Sequence, residues 1–75
     1  MNAALWYRLK AEEMRLHAKA HELAAKASHL DPSANDDEKA RDKAWAEKLA
    51  RAYTSHAARY ERIAKETEAR EGKSP

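Results

Sequence analysis

The sequence predicts an all-α protein: two long antiparallel helices folded into a helical hairpin, which assembles into a four-helix bundle dimer or a higher oligomer. Three observations predict it. Leu9, Leu16, Leu23 and Leu30 recur at a spacing of seven, and Trp6, Ala20 and Ala27 stand three residues before three of them. That is the apolar repeat of a helix that packs on a partner helix. The single Gly and the two Pro fall at positions 72, 32 and 75, outside two helix-length windows. A chain of 75 residues leaves room for one further helix of similar size, so the partner is looked for within the chain.

Residues 2–30 form the first predicted helix, rich in Ala, Leu, Glu, Lys and Arg and free of Gly, Pro and β-branched residues. At full length it spans about 43 Å. Residues 31–35 form the loop: Pro32 disfavours helical geometry at Asp31, and Ser33, Ala34 and Asn35 supply turn chemistry. Asn35 offers a capping side chain ahead of Asp36, Asp37 and Glu38, whose charges oppose the helix dipole, with Ser33 as a competing cap. The second helix is expected over residues 36–71, supported by Glu47/Arg51, Glu61/Lys65 and Glu66/Arg70 at i,i+4. Gly72 is expected to end it and residues 72–75 to form a frayed tail, so residues 1–75 make one domain. A loop of about five residues makes the two helices antiparallel neighbours.

The leucine repeat is expected to pack internally against Trp45, Leu49, Ala52, His56, Ile63 and Thr67, in a register where paired positions add to 68 or 69. Leu23 then meets Trp45, Ala20 meets Leu49, Leu16 meets Ala52, Leu9 meets Tyr60 and Trp6 meets Ile63, so large residues face small ones. The same register sets Glu13 opposite His56 as a polar core pair that fixes alignment.

Three surfaces are left over by that seam. Ala46, Ala50, Ala57 and Ala64, beside Tyr53 and Tyr60 and joined by His17 and Ala24, form a smooth face expected to be the oligomer interface, because small residues let helices approach closely. Tyr7 and Met14, with Trp6 near the same end, are expected to bind another protein. Arg8, Arg15, Lys19, Lys26, Lys48, Arg51, Arg59 and Arg62 gather into a basic ridge that could track phosphates, although Glu12, Glu22, Asp37 and Glu66 interrupt it.

Composition narrows the function classes. With no Cys there are no disulfides, no thiolate catalysis and no cysteine-based zinc site. Fifteen Lys and Arg against thirteen Asp and Glu give a formal charge of +2, too balanced to argue for nucleic acid by itself. No apolar run approaches the roughly 18 residues of a membrane span and no leader is visible, so a cytoplasmic protein with no membrane partner is expected. Glu13, His17 and His21 share one side of the first helix at i, i+4 and i+8, a weak metal pattern that lacks the order of zinc protease or di-iron helices. Neither a catalytic residue nor a cofactor is assigned, since no serine has a base and orienter and no glycine-rich loop cradles phosphate. The expected function is a small non-enzymatic regulator or inhibitor that binds an unidentified protein target, of the kind common among phage and mobile elements, and also binds itself. The alternatives are a nucleic-acid-binding four-helix dimer using the basic ridge, and an oligomer that sequesters a small anionic ligand.

Overall fold

The computed structural model describes residues 2–72 and shows two helices packed side by side in a hairpin. Helix α1 spans Ala3–Ala27, a 3-10 turn covers Ser28–Leu30, and helix α2 spans Asp36–Gly72. Among the described residues no helix is long and apolar enough to cross a membrane.

Local chemistry sets the ends. Asn2 caps α1, its side chain accepting a hydrogen bond from the Leu5 amide at 3.1 Å. Towards the loop α1 tightens rather than continuing α-helical to residue 30. The Ser28 hydroxyl donates to the Ala25 carbonyl at 2.7 Å, the Asp31 amide closes on Ser28, and Asp31 turns extended as Pro32 requires. Within the loop the Ser33 amide and hydroxyl both donate to Asp31 Oδ1, at 2.9 and 2.7 Å. Ser33 is therefore committed to an Asx turn, and Asn35 caps α2 by accepting from the Glu38 amide at 2.8 Å. Gly72, expected to lie just past the end of α2, is instead its last described helical residue, with no positive φ. The expected tail at residues 73–75 lies outside the described residues.

The core differs from the one the leucines predict. Among the described residues the buried ones are eight alanines: Ala4, Ala11, Ala18 and Ala25 from α1, and Ala46, Ala50, Ala57 and Ala64 from α2. Tyr7, Met14 and His21 stand half-buried beside the first set, and Leu49, Tyr53, Tyr60 and Ile63 beside the second. The α1 alanines themselves repeat every seven residues, on the side of the helix opposite the leucines. Alanine lets two backbones come close, and the rings of Tyr53 and Tyr60 lie in the space that small residues leave. Leu9, Leu16, Leu23 and Leu30 consequently face outward, 58–70% exposed, and Trp45, expected against Leu23, is 60% exposed.

Candidate interaction surfaces

Salt bridges along one flank of the seam hold α2 in place. Arg8 Nε donates to Glu68 Oε1 at 2.8 Å, and Arg15 bridges Glu61 on α2 while also holding Glu12 on its own helix at 2.8 Å. The two cross-helix pairs are one heptad apart on each helix, so they select one alignment and one side. Exposed pairs contribute little energy each, but a slipped register would leave them unmatched. Those two carboxylates keep the Arg15 guanidinium more firmly protonated than usual. Arg8 and Arg15 are thereby taken out of the expected phosphate ridge.

Aromatic rings occupy the other edge. Tyr53 stacks with His17 at 5.0 Å and with His21 at 5.4 Å, while His56 meets it edge-on at 6.4 Å. Near the open end, Trp6 and Tyr7 both approach Tyr60, each at 6.3 Å between centroids. Cross-helix contacts thus join positions whose numbers add to between 66 and 76, an alignment overlapping the expected one. What changed is the face.

That rotation revises the expected sites. Ala46, Ala50, Ala57 and Ala64 are covered by α1 within one hairpin, and Tyr53 and Tyr60 turn towards α1, so they are not a surface for a second hairpin. Of that set His17 and Ala24 alone stay exposed. Tyr7 and Met14 belong to the hairpin seam rather than to a free patch, whereas Trp6 is 48% exposed. Glu13 and His56 are both exposed and form no core pair: Glu13 accepts from Lys10 Nζ at 2.9 Å, which holds its carboxyl below the usual range. Glu13 also stands 4.0 Å from His17. Both imidazoles of the weak metal pattern are stacked on Tyr53, and among the described residues no three acidic or histidine side chains converge on one point.

Two outward faces then carry the chemistry available for binding. Leu9, Leu16, Leu23 and Leu30, with Trp6 at 48% and Leu5 at 51%, form an apolar face of α1. On the far side of the hairpin α2 presents Arg41, Lys48, Arg51, Arg59, Arg62 and Lys65, all exposed. Between these helices at the loop end lies a shallow groove where Lys26, Lys43 and Arg51 alternate with Glu22 and Glu47. Arg41 and Lys65 join this face although the expected ridge lacks them, because the expected rotation of α2 sets Trp45 and Ala52 inside.

Compared with protein-family models, with curated proteins and with solved structures, the chain matches none.

Proposed function

We propose that this is a small non-enzymatic helical binding protein of the cytoplasm, a regulator or inhibitor by class, whose working form is a dimer of hairpins joined along the leucine stripe of α1. The observation that supports this reading is the unbroken heptad of four leucines, each more than half exposed, on the side of α1 that α2 does not touch. A surface of this kind is costly to leave in water: burying a leucine side chain contributes about 1.5–3 kcal/mol. The fully buried side chains of the hairpin are alanine methyls with larger ones only half-buried beside them, so a second burial step fits a chain of this size.

A second copy is the occupant that suits the stripe. Antiparallel pairing of two α1 helices about a two-fold axis between residues 19 and 20 sets Leu9 level with Leu30 and Leu16 level with Leu23. It also brings Glu12 within one residue of the level of Lys26 on the same flank, twice per dimer. Sedimentation equilibrium of the full chain and of the double variant Leu16→Glu/Leu23→Glu tests the proposal. The expected result is a species of twice 8.5 kDa for the parent and a helical monomer for the variant. A monomeric parent at about 100 μM, well above the range of a functional dimer constant, would sink the reading.

A further inference from the structure

The outward face of α2 separates charge in a way the chain's overall balance conceals. On the outer half of α2, residues 41, 44, 45, 48, 51, 52, 55, 58, 59, 62 and 65 read Arg, Ala, Trp, Lys, Arg, Ala, Ser, Ala, Arg, Arg, Lys, and every one of them is exposed, Arg51 and Ser55 also lining the groove shared with α1. Six of the eleven are basic and none is acidic, although the whole sequence carries a formal charge of only +2. Of the acids, Glu47 lies at the same helical angle as Lys65, and Asp37 and Glu66, beyond either end of the stretch, lie at the angles of Ser55 and Lys48, while Asp42 and Glu61 stand on the flanks and Glu61 is occupied by Arg15. No ion pair joins any of the six to an acid among the described contacts; Lys48 lies over the Trp45 ring at 5.6 Å.

We infer that this face of α2 is a sequence-independent binding surface for duplex DNA, entering the major groove and neutralising the phosphates on either side. Shape favours it. The space between the basic side chains is filled by Ala44, Ala52, Ser55 and Ala58, so the helix is narrow along its outward line, and a major groove about 12 Å wide admits one helix. The stripe extends about 36 Å, roughly one helical turn of B-form DNA. Its charges sit on both sides of the outward line, Arg51 and Lys65 towards one flank and Arg59 towards the other, so both walls of the groove find a partner. Four of the six are Arg, whose planar guanidinium matches phosphate oxygens in pairs. No Asn or Gln stands among the eleven positions to pair with adenine, and the arginines, which can pair with guanine edges, are taken to hold phosphates, so that sequence independence rests on the backbone contacts. A membrane surface fits worse, because apart from Trp45 no large apolar side chain lies among the charges to enter a bilayer.

This inference stands apart from the dimer, since α2's outer face and α1's leucine stripe point in opposite directions. Fluorescence anisotropy of a labelled 20-base-pair duplex, titrated with the full chain at several salt concentrations, tests it. Binding is expected at 50 mM salt, with log affinity falling against log salt at a slope of about −4.5 to −5.4 for five or six neutralised phosphates. Replacing Arg51, Arg59 and Arg62 with Glu is expected to weaken binding at least tenfold and to flatten the slope by about three. Lys19→Glu/Lys26→Glu on α1 is the control, a change of four charges against six, expected to change affinity less than threefold, and circular dichroism verifies that both variants stay helical. A second duplex of unrelated sequence is expected to bind within threefold of the first. No binding at 50 mM salt, an equal loss in the control, or a strong sequence preference would each overturn the assignment. A double-stranded RNA of the same sequence, whose deep major groove excludes a helix, is expected to bind more weakly; equal or tighter binding would overturn the groove geometry.

Discussion

Glu71, near the end of α2, accepts a hydrogen bond from the backbone amide of Ala4 at 3.3 Å, so the last turn of one helix caps the first turn of the other. The α1 N-terminus has no acidic residue of its own in its first turn. Across the open end of the hairpin Glu71 supplies both the missing acceptor and the negative charge that the helix dipole favours. Glu71→Ala is expected to lower stability by about 0.5–1 kcal/mol, a shift of roughly 2–8 °C in melting temperature for a chain of this size. Glu71→Gln, which keeps an acceptor and loses the charge, is expected to fall between. Hydrogen exchange at Ala4 locates the effect: equal protection in the parent and in Glu71→Ala would show that the contact does not hold in solution.

An alanine seam tolerates enlargement poorly. Ala11 and Ala64 are fully buried, and a leucine at either position has to push the backbones apart along several turns. Ala64→Leu is expected to destabilise the hairpin by about 1–3 kcal/mol, read as a lower midpoint in urea. By contrast Leu16→Ala, on the exposed stripe, is expected to leave the hairpin helical and act on assembly alone. If Ala64→Leu were neutral and Leu16→Ala caused unfolding, the leucines would be the inner seam after all.

Tyr53 takes its place through ring contacts rather than through its hydroxyl, being stacked on His17 and His21. Tyr53→Phe retains those faces and is expected to alter stability by less than about 0.5 kcal/mol, whereas Tyr53→Ala removes a half-buried ring from the seam and costs about 2 kcal/mol. Thermal unfolding of the two variants beside the parent separates these outcomes, and a phenylalanine variant as weak as the alanine one would point to the hydroxyl.

Acid acts on the loop. The hydroxyl and amide of Ser33 bond to Asp31 and hold its carboxyl below the usual aspartate range. Because the folded value is depressed, the carboxylate's contribution is complete above the unfolded value of about 3.9 and is lost as the pH falls through the folded one. Asp31→Asn keeps an acceptor without a titrating group. The parent is expected to lose more stability than this variant between about pH 5 and pH 2, and identical acid limbs in denaturant titrations would rule the contribution out.

Much of the architecture was legible along the chain. Pro32, Asn35 and the unbroken helical composition on either side placed the two helices and the cap of α2, since these depend on interactions within a few residues. The face of α1 that α2 occupies was not legible. α1 carries two seven-residue repeats on opposite sides, Ala4, Ala11, Ala18 and Ala25 on one and Leu9, Leu16, Leu23 and Leu30 on the other, and periodicity weighs the larger side chains more heavily. Expected sites at Tyr7, Met14, Ala50 and Ala57 moved into the hairpin for that one reason, and the unpaired basic face of α2 came into view for the same one.

Residue order alone determined two helices, the cap of α2 and the turn between them, because capping, proline geometry and helix propensity act locally. Only the packed hairpin decided that the alanines go inside. Close backbone approach, the fit of Tyr53 against two histidines and the pairing of Arg8 with Glu68 and Arg15 with Glu61 exist only when both helices are in place, and together they turn the leucines outward.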